Sequence, residues 1–73
     1  MQVKTLGQRI RHLRIKNKMT QKTLAEALYV SESTVSYWER DKTEPSIIFI
    51  VRLTALFQTY LNYLIIGNEK STL

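Results

Sequence analysis

The residues able to do chemistry in this chain are arranged for contact and not for catalysis. His12 is the single histidine and has no partner at ligand spacing, cysteine is absent, and the carboxylates are scattered. That leaves no nucleophile–base pair, no metal-ligand spacing and no glycine-rich phosphate loop, so neither an enzyme nor a cofactor is expected. Hydroxyl, amide and cationic side chains concentrate instead between Thr20 and Glu44. On a helix from Glu32 to Arg40, Val35 and Trp38 share one face, and Ser33, Ser36, Tyr37 and Arg40 form the opposite stripe. That stripe can hydrogen-bond and carries no aliphatic bulk, as a helix laid in the major groove of duplex DNA requires.

The element before it must set its angle. Leu24, Ala25 and Leu28 fall on one face of a helix from Gln21 to Leu28, with Thr20 as its N-cap. Ser31 caps the following helix, and only Tyr29 and Val30 lie between. Helices so short, joined so tightly, cross steeply, which is the geometry of a helix-turn-helix. Upstream, Val3, Leu6, Ile10 and Leu13 share a face of a first helix running from about Val3 to Lys16, while Lys4, Arg11 and Ile15 point away. Downstream, residues 41–45 read as a loop because Pro45 pushes its predecessor out of the helical region. A fourth helix starts near Ser46 and runs to about Phe57, and a fifth from about Tyr60 to Ile66 ends at Gly67. The expected architecture is all-α: five helices in one domain over 1–67, followed by a flexible tail, 68–73.

At 73 residues the chain is near the lower limit for one hydrophobic core, and 44% apolar residues suffice to attempt it. The longest apolar run, Ile47 to Val51, is far too short to span a membrane, and the N-terminus is too charged for a signal peptide. An intracellular, cytoplasmic domain is therefore expected. The net charge of +5 suggests a polyanionic partner. Nine of the eleven Lys and Arg residues lie at or before Lys42, against four of the six acids, so the basic excess belongs to the helix-turn-helix half.

Arg14 and Glu39 sit at the core margins of the first and third helices. Geometry alone allows either an ion pair joining the helices or two separate solvated charges. A pair would orient more than stabilise, because desolvation offsets much of its attraction.

The motifs LGQRIRHLR, MTQKTLAEAL and VSESTVSYWER, the K-x-x-P-S loop exit at Lys42 to Ser46, and LNYL before Gly67 together resemble the phage-repressor-like helix-turn-helix family, the Cro and lambda-repressor type also called XRE-like. The resemblance implies a five-helix DNA-binding domain acting as a dimeric transcriptional regulator, most often a repressor, on a near-palindromic operator. It places base-reading positions at Glu32, Ser33, Ser36 and Tyr37. It places a phosphate-holding, helix-bracing residue at Gln21, and phosphate contacts at Arg40, Lys42 and Thr43. It also implies that Arg14 and Glu39 pair. This chain departs from the family pattern at Tyr29 and Asp41, where glycine is usual, and at Gln58, where glycine or asparagine is common. A non-glycine residue held at positive φ costs on the order of 1 kcal/mol.

Blander readings stand beside these. Val35 and Trp38 are core, Ser31 is a cap, and Glu32 is favourable in a first helical turn without any DNA. His12 is plain surface. Of Lys16, Lys18 and Lys22, at least one, with Lys22 the candidate, faces phosphate. The fourth helix is apolar nearly all round: Ile47, Ile50, Thr54 and Phe57 form an inner face, yet Ile48, Phe49, Arg52 and Leu56 face out. With Tyr60, Tyr63, Leu64 and Ile66 of the fifth helix, these are expected to form a homodimer interface. Such a dimer would set two reading helices about 34 Å apart, one turn of B-DNA. The alternative is a protein-interaction module of antitoxin or anti-repressor type, using the same apolar surface on a protein partner.

Overall fold

Five local stop-and-start signals divide the chain, and a computed structural model describes the result over residues 4–67. The elements are α1 (Leu6–Lys16), α2 (Gln21–Leu28), α3 (Glu32–Glu39), α4 (Ile47–Phe57) and α5 (Leu61–Ile66), with no strand among the described residues. The expected tail, 68–73, and Val3 lie outside them.

Short polar side chains start the first three helices. Thr5 Oγ1 accepts from the Gln8 amide at 3.1 Å while Gln8 Oε1 accepts from the Thr5 amide at 3.2 Å, a reciprocal capping box. This box, unread in the sequence, begins α1 at Leu6, later than the expected Val3. Thr20 and Thr23 exchange the same pair of bonds at α2, and Ser31 Oγ accepts from the Thr34 amide at α3. Arg40 and Tyr60 prove to be flanking caps of α3 and α5, one residue outside the helices expected to include them.

The helices stop by a left-handed residue. Lys18, Tyr29, Asp41 and Gln58 take φ between 51° and 59°, and Gly67 takes 91°. At the first four an amide just beyond the helix reaches back to a carbonyl of its last turn: Met19 to Arg14, Val30 to Ala25, Lys42 to Tyr37 and Thr59 to Thr54. At the fifth the Gly67 amide itself donates to the Tyr63 carbonyl. Only the last of the five ends uses glycine.

All five helices supply the core. Ile10 and Leu13 meet Leu24, Ala25 and Leu28 of α2, Val35 and Trp38 of α3, Ile50, Leu53 and Phe57 of α4, and Tyr63 and Leu64 of α5. The helix-turn-helix is formed by α2 packing on α3, with α1 laid across α3 and α5 closing against α1 and α4. Gly7 permits the α1–α3 approach: a Cβ there would lie 2.3 Å from the Trp38 carbonyl oxygen.

Two expectations about α4 and α5 need correction. Ile47 does not face the core; it is 63% exposed, and Leu53, missing from the expected inner face, is fully buried. The helix is rolled because Phe49, expected outside, is half-buried with its ring 5.5 Å from that of Trp38 at a tilt of 50°. Phe49 and Ile47 lie on nearly opposite sides of a helix turning about 100° per residue, so seating one expels the other. Tyr63 and Leu64 are not association-surface residues; at 8% and 0% exposure they complete this chain's own core. Arg9 draws α5 down: its Nε donates to the Leu64 carbonyl at 2.8 Å and an NH2 proton to the Ile65 carbonyl at 2.8 Å.

Candidate nucleic-acid interface

A groove opens along the outward side of α3, lined by Gln21, Glu32, Ser33, Ser36, Tyr37 and Arg40. The four positions expected to read base edges thus share one concave surface, with Gln21 from the start of α2 as one wall. Behind it, Val35 and Trp38 are buried in the core, so no aliphatic or indole surface is offered outward. Ser36 and Gln21 are half-buried, while Glu32, Ser33, Tyr37 and Arg40 are exposed. The Arg40 guanidinium lies 5.2 Å from the Tyr37 ring centroid, a cation–π contact that holds both side chains at one end of the groove.

The groove is held from below by a charged network. Arg14 Nε donates to Glu39 Oε2 at 2.6 Å and an NH2 proton to Oε1 at 3.0 Å, a bidentate pair with the Glu39 side chain 2% exposed. Arg14 also donates to the Met19 carbonyl at 2.9 Å, and Gln21 Nε2 donates to Glu39 Oε1 at 3.0 Å. One carboxylate therefore ties the end of α3 to α1 and to the first residue of α2. Desolvating these charges gains little net stability, but the two-pronged geometry allows α3 one orientation.

The remaining expected contacts flank the groove and do not line it. Lys22 is exposed in the first turn of α2, and Lys42 and Thr43 are exposed on the loop after α3. None of their side chains hydrogen-bonds to a described residue. The loop itself is fixed by the Lys42 amide donating to the Tyr37 carbonyl at 2.9 Å. It is fixed also by Asp41, whose Oδ2 accepts from Thr5 Oγ1 at 2.7 Å and whose Oδ1 accepts from the Gly7 amide at 3.0 Å. In the sequence Asp41 stands out only as a departure from the glycine usual at that position. Its role in capping α1 spans 34 residues of sequence and leaves no local signature.

Fold and face together define a helix-turn-helix domain of the phage-repressor type. The helix-turn-helix family profile matches residues 10–64, and the chain belongs to that family. It is 38% identical over 65 residues to the HTH-type transcriptional regulator DicA of Escherichia coli (strain K12), covering 89% of this chain and 48% of DicA. It is 35% identical over 72 residues to repressor protein C2 of Salmonella phage P22, covering 99% of this chain and 33% of C2. The crystal structure of the P22 c2 repressor with synthetic operator 9T superposes with a TM-score of 0.83 at 35% identity, over 89% of this chain and 98% of that one. The chain thus spans about half or less of the length of these two curated relatives.

Proposed function

We propose that this chain is a sequence-specific DNA-binding transcriptional regulator, a repressor that lays α3 in the major groove. The observation that carries this reading is the groove: polar and cationic side chains on an exposed helix face, with its orientation held by the Arg14–Glu39–Gln21 network. The likeness to a repressor crystallised on its operator supports it. In this reading Glu32, Ser33, Ser36 and Tyr37 meet base edges. Gln21, Lys22, Arg40, Lys42 and Thr43 meet phosphates, making affinity strongly salt-dependent. No catalytic step is assigned. No helix of the described residues is long and apolar enough to cross a membrane, and the proposed place of action is the cytoplasm. A binding selection from randomised duplexes tests this reading. A recovered half-site motif is expected, and a pool no more enriched than one carried through without protein would overturn it.

The protein is proposed to act as a dimer through the outer surface of α4 and α5. With Tyr63 and Leu64 assigned to the core and Phe49 half-buried against Trp38, that surface comprises Ile48, Arg52, Leu56, Tyr60 and Ile66, joined by Ile47 and Val51. Exposed aliphatics in such number on so small a domain favour a covering partner. Sedimentation equilibrium at micromolar protein should report a dimer that Ile48→Glu dissociates. A monomer throughout, with one protein retained stoichiometrically in a pull-down and no salt-sensitive DNA retention, would favour the interaction-module reading.

A further inference from the structure

Away from the reading face, a pocket of about 240 Å³ opens between α1 and the turn joining α4 to α5. Its polar walls are His12 and Lys16 of α1, Gln58 and Thr59 of the turn, and Tyr60 and Tyr63 at the start of α5. At about 100° per residue, His12 and Lys16 fall on the side of α1 opposite Gly7 and Arg14, the residues that face α3. These donors are therefore not placed to serve the same duplex face as Arg40 and Lys42.

None of the six side chains forms an ion pair or hydrogen bond among the described residues. For exposed side chains that is ordinary. Tyr63 differs from the others in that its ring is packed in the core at 8% exposure, which fixes where its hydroxyl stands. No buried polar side-chain atom lacks a partner among the described residues, so this hydroxyl reaches the surface where Tyr63 lines the pocket. Gln58, the left-handed cap of α4 at φ 51°, supplies its side-chain amide from the turn side of the pocket. The pocket thus gathers an ammonium group, an imidazole, an amide and three hydroxyls around a volume smaller than a usual drug-sized site.

We propose that this pocket binds a small organic anion, its phosphate or carboxylate head held by Lys16, His12 and the Tyr63 hydroxyl, and its body lying against the Tyr60 ring. Lys16 supplies the charge and the hydroxyls supply directed donors, a combination that selects anions over neutral molecules of the same shape.

The test is a titration of the full chain, without DNA, with phenyl phosphate, benzoate, inorganic phosphate and phenol, followed by amide chemical shifts. Saturable shifts confined to residues 12–16 and 58–63 are expected with phenyl phosphate or benzoate, and the tighter of the two identifies the head group. Lys16→Ala and Tyr63→Phe, which keep the helix surface and the core ring respectively, should each weaken binding about tenfold, the loss of one charge-assisted hydrogen bond. Phenol binding as tightly as phenyl phosphate would overturn the proposal. So would inorganic phosphate shifting residues 21, 22 and 40–43 in preference to the pocket, or no saturation with any of the four at millimolar concentration. Because no duplex is present, failure here leaves the reading of α3 standing.

Discussion

Asp41 closes over the start of α1 by accepting from the Gly7 amide at 3.0 Å, so the loop leaving α3 and the first turn of α1 form one joint. The same joint admits no side chain at residue 7, where the Trp38 carbonyl and the Asp41 carboxylate both lie within 3 Å of a would-be Cβ. Gly7→Ala should therefore destabilise the fold by about 1–3 kcal/mol, the range for overpacking a close contact. Asp41→Ala should cost about 1–2 kcal/mol, through lost hydrogen bonds and retained backbone strain, and Asp41→Gly should cost less because the strain is relieved. Urea unfolding midpoints measure all three.

Removing one member of the buried pair should be worse than removing both. Glu39→Ala strands the Arg14 guanidinium and is expected to cost about 3–5 kcal/mol, whereas the double change Arg14→Met with Glu39→Leu should cost less. If the pair orients α3, the double variant will keep much of its stability yet bind DNA more weakly. Denaturant melts beside duplex titrations separate the two effects.

Tyr29 turns the corner between α2 and α3 at φ 59° while 90% exposed, so its ring adds little to the core. Tyr29→Gly should raise stability by about 0.5–1 kcal/mol by removing left-handed strain. Gln58→Gly should act the same way at the end of α4. A fall in thermal midpoint for both would show that these side chains contribute more than their exposure implies.

On the reading face, changes at Ser33 and Tyr37 should alter which duplex is preferred, while changes at Arg40 and Lys42 should weaken all duplexes about equally. Each lost phosphate contact should also reduce the slope of log affinity against log salt by about 0.9. Binding selections and salt titrations on the four variants check this, and unchanged preference in the Ser33 and Tyr37 variants would remove α3 as the reader.

Arg9, unremarked in the sequence, donates to Leu64, Ile65 and Lys4 carbonyls from a buried position. Arg9→Met keeps the stem but loses all three bonds, at about 1 kcal/mol or more apiece. The loss should be local. Amide exchange should quicken across α5 before the rest of the fold is affected.

Local rules were enough to read the helices and the reading face. Periodicity put Val35 and Trp38 inward and Ser33, Ser36 and Tyr37 outward, and the threonine and serine caps marked two of the starts, because these depend on residues within one or two turns of each other. The joining of Arg14 to Glu39 needed the family resemblance as well, since spacing on separate helices does not say that they meet. Packing alone decided the rest. α4 is apolar on so many sides that its sequence allows several rolls, and the contact of Phe49 with Trp38 selects one, burying Leu53 and exposing Ile47. Tyr63 and Leu64 read in sequence as surface for a second copy because α5 packs against α1, far away in the chain, as well as against neighbouring α4. Arg9 and Asp41 act on carbonyls and amides dozens of residues distant, where the partner is main chain common to every residue and so leaves no mark in sequence.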